Sequence, residues 1–362
     1  MLDILELKEK GIRKKIIILH NNRLDVSKEF VLRSFQTGDE KGIISCVKEE
    51  HGNTYFKKFF YDPLLLKEKA EGEEYVIFVA EADNRIAAIE ILRIFSKRGE
   101  DYIEPASQII CKDYRGYGLS GALVDYTFSV AISIEPSALF VHTAMYHSIT
   151  QHVCEAYGME PVGYEIGSFL TEAMKNSFAL DGIKKYSAGT LCYPVKKKEA
   201  GDIYLPPELK DYGAMVYQKL DAKYEIITKT DDTFREKESV LYISRENSAN
   251  RYVSIIADCI GIDFAERMDD LIHEHTKGSH NPDGWVYLLV LNTDTPEFLH
   301  IYEELKKMGF FFGGLQPLCG IHERAFMYWV GDLDLKMDAY VVTEKFAGIR
   351  DWISKYYLNR IL

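Results

Sequence analysis

Ser107-Gln-Ile-Ile-Cys-Lys-Asp-Tyr-Arg-Gly-Tyr-Gly-Leu-Ser-Gly-Ala-Leu123 decides the reading of this chain. An apolar run with strand character passes through Arg115-Gly-Tyr-Gly118 and continues as a helical pattern. Such a junction aims several backbone N–H groups and the positive end of a helix dipole at one point, a site for phosphate or pyrophosphate. A Walker loop needs a Gly-Lys-Ser/Thr ending, and no Lys follows these glycines. The third glycine of a dinucleotide fingerprint is missing too, as is the acidic residue about 20 positions on. A Gly-x-Gly between strand and helix is also ordinary turn chemistry, so its neighbours must decide.

Val31 to Phe35 alternates as a strand does, and Asp39 to Glu50 has helical periodicity. Tyr75 to Glu81 and Arg85 to Ile94 read as strands joined by a tight Asp83-Asn84 turn. Tyr102 to Cys111 is the next strand, and a helix follows the glycines from Leu119 to about Ile132. Ala138 to Ala144 then reads as a strand, His147 to Tyr157 as a helix, and Val162 to Ser168 as a strand. The segment before Val31 holds an apolar Lys15-Ile-Ile-Ile-Leu19 run suited to an edge strand.

With these elements in order, Val31 to Val195 resembles the GNAT acyltransferase superfamily. Arg115-Gly-Tyr-Gly-Leu-Ser120 stands where that family has Arg/Gln-x-x-Gly-x-Gly/Ala, and Cys154-Glu-Ala-Tyr-Gly-Met159 where many members have Tyr-x-x-x-Gly-Phe. The resemblance implies an α/β fold with a mixed, mostly antiparallel central sheet flanked by helices. It implies that the amides of Gly116, Tyr117, Gly118, Leu119 and Ser120, with Arg115, hold the pyrophosphate of acetyl-CoA as co-substrate. The backbone of Gln108, Ile109 and Ile110 would pair with the pantetheine arm where the strands splay apart, and His147 would touch the cofactor. An N–H near Ile110 would stabilise the developing oxyanion, and holding thioester and amine together would supply orientation.

Two residues depart from the family pattern. His147 stands where many members have Asn, and Cys154 where a Tyr protonates the departing thiolate. A thiol with a reference pKa of about 8.5 is protonated at neutral pH and is a weaker, shorter donor. Tyr146, Tyr157 or solvent are the other sources of that proton, and a Cys facing a sheet also serves as a small buried hydrophobe. Glu104, upstream of the pantetheine segment, is the candidate base. Nothing beside Cys154 in sequence marks an activating base, so direct attack by the amine is expected, without a covalent intermediate.

At 362 residues with 47% apolar and 28% charged residues, the chain has the composition of a two-domain globular protein. No run of about 18 apolar residues is present, so no membrane partner is expected. The acidic start lacks the apolar core of a signal peptide. Cysteines at 46, 111, 154, 192, 259 and 319 have no paired spacing, which suits reduced thiols in a cytoplasm and no metal site. The formal charge of −12 discourages nucleic acid and is compatible with a cationic amine acceptor. The basic runs Arg13-Lys-Lys15 and Lys196-Lys-Lys198 read as solvated.

Two domains and an extension are expected: an N-terminal extension over 1–27, an acyltransferase domain over 28–200, and a C-terminal domain over 201–362. Gly201 to Pro207 reads as a linker, and Leu170 to Tyr186 as an insertion near the acceptor side. In the last part, strands and helices alternate as in the later part of the first domain, and Glu303 to Phe310 mimics the end of its last helix. Ala257-Asp-Cys-Ile-Gly-Ile-Asp263 stands at the loop position, without Arg or Gly-x-Gly and with two aspartates. That pattern implies a degenerate second GNAT-like domain which shapes the acceptor pocket or mediates association, including homo-oligomerisation. His273, His275 and His280 suit joint ligation poorly, because residues two apart on a helix face different ways. Three functions fit: acetyl transfer to a primary amine, transfer from a longer acyl-CoA or an aminoacyl donor, or non-catalytic sensing of acyl-CoA.

Overall fold

The computed structural model describes residues 2, 4–170, 184–197, 201–231, 236–277, 281 and 283–360. The described residues form two compact units, one up to Val141 and one from His142 onward. No described helix is long and apolar enough to cross a membrane.

The first unit runs α1 (Ile4–Ile12), β1 (Lys15–Asn21), β2 (Val26–Ser34), α2 (Glu40–His51), α3 (Pro63–Glu71), β3 (Tyr75–Ala82), β4 (Arg85–Phe95), β5 (Tyr102–Ile110), α4 (Leu119–Ile132) and the start of β6 (Ala138–Ala144). Its strands lie in the order β1-β2-β3-β4-β5-β6; all neighbours are antiparallel except β5 and β6. Both turn residues between β3 and β4 are left-handed, Asp83 at φ 52 and Asn84 at φ 58. Two such residues match the twist of a tight hairpin, which is why Asp-Asn marks one. Buried residues fall all round α4, from Leu123 and Val124 to Phe128 and Ala131. A helix apolar on every side must be covered twice. The sheet covers one side, and α1 reaches the other, where the Tyr126 hydroxyl donates to the Gly11 and Arg13 carbonyls at 3.0 and 2.9 Å.

The second unit holds the end of β6, then α5 (Ile149–Ala156), β7 (Glu160–Leu170), β8 (Lys185–Pro194), β9 (Gly201–Tyr204), α6 (Lys210–Lys219), β10 (Tyr224–Ile227), β11 (Val240–Asn247), β12 (Tyr252–Cys259), α7 (Phe264–Thr276), β13 (Val286–Asn292), α8 (Glu297–Lys307), β14 (Phe311–Gln316), β15 (Arg324–Trp329) and α9 (Glu344–Leu358). The strand order β8-β7-β14-β15-β13-β12-β11 is antiparallel apart from the β12–β13 pair. The order β11-β12-β13-β15-β14 has the connectivity of β4-β5-β6-β8-β7, with an antiparallel pair, a parallel crossover and a returning strand set inside. Half of one fold is therefore drawn twice in the chain.

Gly201 to Pro207 departs from its reading as a linker. Residues 201–204 form β9, which pairs in parallel with β10 and buries Ile203. The division of units also falls inside β6, ahead of the 200/201 boundary expected from sequence. The reason is packing of β7 against later elements. The Tyr212 and Tyr328 hydroxyls donate to the Val162 and Tyr164 carbonyls at 2.8 and 2.9 Å. Gln151 binds the Val341 carbonyl at 2.9 Å and the Thr343 amide at 2.9 Å. The insertion expected between Leu170 and Tyr186 lies, over 171–183, outside the described residues, as do Lys198 and His280.

β7 meets β14 where Gly163 opposes Gly314. A Cβ at Gly163 would sit 2.8 Å from the Gly314 Cα and 2.9 Å from the Gly313 oxygen, both rigid backbone. Gly163→Ala is expected to cost about 1–3 kcal/mol and to lower the melting temperature by several degrees in calorimetry. An unchanged transition would show that the strands separate at no cost.

Candidate functional site

After β5 the chain makes a short 3-10 turn over Lys112–Tyr114 and enters the glycine loop. Gly116 at φ 86 and Gly118 at φ 76 take the left-handed conformation that side chains resist. Gly118 is the N-cap of α4, and a Cβ there or at Gly121 would meet nothing within 4 Å. The first amides of a helix have no carbonyl partner within it, and the cap at Gly118 borders open space. The first capping bond runs from the Ala122 amide to the Gly118 carbonyl at 3.2 Å. Below the loop, Tyr114 and Tyr117 pack edge-on against Phe30 and Leu119 is buried. The loop is thereby anchored by apolar residues and open on its amide side, which suits an anionic ligand such as a pyrophosphate.

The polar side chains of the motif bond to neighbouring elements. Arg115 donates through Nε to the Ile110 carbonyl at 3.1 Å and pairs with Glu50 on α2. Ser120 donates to the Gln108 carboxamide oxygen, and the Gln108 Nε2 reaches the Ser120 carbonyl at 3.2 Å and Glu90 at 3.4 Å. Glu90 on β4 also accepts from the Thr127 hydroxyl of α4 at 3.0 Å. Burial pushes its carboxyl up to about 7, against the opposing pull of these two hydrogen bonds. A continuous set of bonds thus ties the start of α4 to two central strands.

Strand β5 carries an irregularity at the same place. Ile89 pairs Ile109 and Ile91 pairs Ala106, so Ser107 and Gln108 oppose Glu90 alone. This is a bulge, and Ser107 takes its left-handed slot at φ 56. On the other side, β5 pairs β6 only at Tyr102↔Ala138 and Ile103↔Leu139. From Glu104 to Ile110 the ladder therefore runs on the β4 side alone among the described pairings. An extended ligand arm could add to such an edge as a strand does.

The other expected site residues divide between the two units. Glu104 stands on β5 with the Arg93 guanidinium 3.7 Å away, and Arg93 also faces Glu74 at 3.4 Å. Cys154 and His147 belong to the second unit. Cys154 is buried on α5, and burial lowers the His147 pKa. The Tyr146 ring lies edge-on to the His147 ring, with centroids 4.8 Å apart. So the loop, Gln108, Ile110, Arg115 and Ser120 come together in the first unit, while Cys154 and His147 are held by the second.

Three contributors were missed. Asn21, at the end of β1, donates to the Arg115 carbonyl at 3.3 Å and accepts from the Arg23 and Leu24 amides at 3.0 and 3.2 Å. Its signal was the Asn-Asn pair that ends the apolar Lys15–Leu19 run. Glu90 was the one carboxylate in Ala87-Ala-Ile-Glu-Ile-Leu92, a polar residue where a buried strand has none to spare. Glu50 carried no comparable mark.

The counterpart stretch in the second unit is closed. Asp263 accepts from the Ser239 amide and hydroxyl at 2.7 and 2.8 Å, and the Gly261 amide donates to the Ser239 hydroxyl at 2.9 Å. A Cβ at Gly261 would strike the Glu238 backbone, so the chain already fills this corner. His275 is bonded through Nδ1 to the Tyr287 hydroxyl at 2.6 Å, while His273 is exposed.

The raised Glu90 carboxyl has a thermodynamic consequence. A group whose folded pKa lies above its unfolded value contributes stability below the unfolded pKa and loses it as pH rises through the folded one. From about pH 4.5 to 7, ionisation of Glu90 is therefore expected to erode stability, by something of the order of 3 kcal/mol in all. Denaturant unfolding of the wild type and Glu90→Gln at pH 5 and pH 8 checks this. The wild type should lose more between the two than the variant, and equal losses would place the titration elsewhere.

No family model matches the chain, and no curated protein matches it in sequence. Among solved structures, it is similar to the ribosomal-protein-S18-alanine N-acetyltransferase of Escherichia coli at 15% identity, covering 47% of this chain and 96% of that one, with a TM-score of 0.37. It is similar to a probable acetyltransferase of Staphylococcus epidermidis at 14% identity, covering 46% and 99%, with a TM-score of 0.37. A spermidine N-acetyltransferase of Vibrio cholerae in complex with CoA and spermine matches at 16% identity over 46% and 95%, again with a TM-score of 0.37. Likeness at this level carries no functional conclusion by itself.

Proposed function

We propose that the protein is an acyltransferase which moves an acetyl group from acetyl-CoA to a primary amine by direct attack. The observation that carries this reading is the left-handed Gly116-Tyr-Gly118 loop that opens α4, with open space at Gly118, set at the end of a strand which, among the described pairings, is laddered from Glu104 to Ile110 on its β4 side alone. Pyrophosphate would lie against the amides of Gly116 to Ser120, and the pantetheine arm along Gln108, Ile109 and Ile110. Arg115, half exposed beside the loop, would join these amides in holding the pyrophosphate, and it also bonds to the Ile110 carbonyl and Glu50. Glu104 remains the proposed base, and Cys154 the proposed donor to the leaving thiolate, with His147 near the cofactor. When bound, the coenzyme supplies the activated thioester; the chain supplies position and exclusion of competing water.

The second unit repeats the half-fold with its loop closed by Asp263 and Ser239, so we assign it no cofactor. It acts as a degenerate second GNAT-like domain, shaping the acceptor side or mediating association. The cytoplasm is the proposed compartment. A sensing role is the second reading, and burial of Cys154 favours it, because a buried thiol is a poor proton donor to a departing group.

Thermal unfolding with and without acetyl-CoA tests the reading. Ligand at about 100 times its dissociation constant adds roughly 2.7 kcal/mol to the folded state, a shift of several degrees. Gly118→Asp and Gly121→Asp should remove that shift; the second leaves helix geometry undisturbed, since an acidic first turn favours a helix. Thiol release on adding amines then separates transferase from sensor. Absence of any shift in the folded wild type would end the coenzyme reading.

A further inference from the structure

The bulge in β5 does more than open an edge. Its left-handed residue, Ser107, directs its hydroxyl away from the Gln108–Ser120–Glu90 bonds and toward the segment that follows α2. There the Lys57 Nζ lies 2.9 Å and the Tyr55 hydroxyl 2.8 Å from the Ser107 Oγ. Both partners are held in place. Tyr55 stacks on His51 with ring centroids 4.5 Å apart, and its amide donates to the Tyr61 hydroxyl at 2.9 Å. The Lys57 ammonium end lies 5.5 Å from the Phe56 ring centre. All three residues of the group are half-buried, sheltered yet reachable.

A serine hydroxyl in hydrogen-bond reach of a lysine amine is a nucleophile beside its base, one of the recurring ways to activate serine. Tyrosine adds a second donor at the same oxygen. Backbone strain at the nucleophile is a further mark of a working residue, since it persists only where the surroundings impose it. Gly would take this slot without strain.

We propose that Ser107, Lys57 and Tyr55 form an acyl-accepting site that attacks activated esters. Lys57 first releases a proton to solvent; the Ser107 Oγ then bonds to the ester carbonyl carbon as its own proton passes to the free Lys57 amine. The tetrahedral species collapses with cleavage of the bond to the leaving alkoxide. That group departs as the alcohol, taking a proton from the Tyr55 hydroxyl, which regains one from the Lys57 ammonium. Ser107 is left as an O-acyl ester, and attack by water returns the free serine and a carboxylic acid. No coenzyme takes part, so this inference stands or falls apart from the glycine loop and its ligand.

The test is p-nitrophenyl acetate with the full-length protein and no coenzyme. Expected are a burst of p-nitrophenol and one added acetyl group in the intact mass, mapped by peptide sequencing to Ser107. Ser107→Ala and Ser107→Gly should abolish both, and the glycine variant relieves the left-handed strain, so loss there cannot be ascribed to misfolding. Lys57→Ala should slow acylation about 100-fold or more, with recovery on adding propylamine, which a merely structural lysine would not show. Tyr55→Phe should slow it less. A wild type without a burst overturns the proposal. So does acetylation that maps to another residue and persists in Ser107→Gly, or an unslowed Lys57→Ala.

Discussion

One extra residue in β5 governs the first unit. Ser107 and Gln108 together oppose Glu90, and their side chains engage different elements. Gln108 reaches α4 and engages Ser120; Ser107 reaches the segment after α2. Without the bulge, strict alternation would continue through both positions, and the register of everything beyond them would move by one. The glycine loop, the buried carboxyl and the serine cluster all take their positions from that single irregularity.

The buried Glu90 shows how closely helix and sheet are joined. A carboxyl excluded from water is costly unless its lone pairs are met. Here Thr127 from the helix and Gln108 from the neighbouring strand meet them. The second unit answers the same need differently. Lys185, equally buried, donates to the carbonyls of Gly167, Asn250 and Arg251. In each unit one buried charge-bearing group fixes a strand against its neighbours.

Much of the architecture was legible in the sequence. The helix Leu119–Ile132 and the strand Ala138–Ala144 have the limits that apolar periodicity and the preceding glycine turn pointed to. Asp83-Asn84 announced its hairpin, because few residue pairs accept two left-handed conformations in succession. The glycine loop was legible for the same reason. Less was legible where long-range partners decide. Gly201 to Tyr204 contains Gly and precedes two prolines, which reads as a linker; only pairing with Tyr224–Ile227 makes it a strand. The pairing of Arg115 depends on Glu50, 65 residues away along the chain. The left-handed state of Ser107 had no local signal at all, since it follows from register with β4.

The first 27 residues lie outside the stretch that resembles an acyltransferase, yet they are woven into its most characteristic loop. Asn21 supports the Arg115 carbonyl, and a Cβ at Gly116 would come 3.0 Å from its amide nitrogen. Lys8 and Lys10 bind the Gly72 and Ser133 carbonyls at 2.6 and 2.8 Å, and Tyr126 holds the chain at Gly11 and Arg13. Similarity and autonomy are therefore different boundaries in this molecule. Removing α1 and β1 would expose the back of α4 and leave the loop's rim without its Asn21 brace. In this molecule α1 and β1 are part of the support of the site, not an appendage to it.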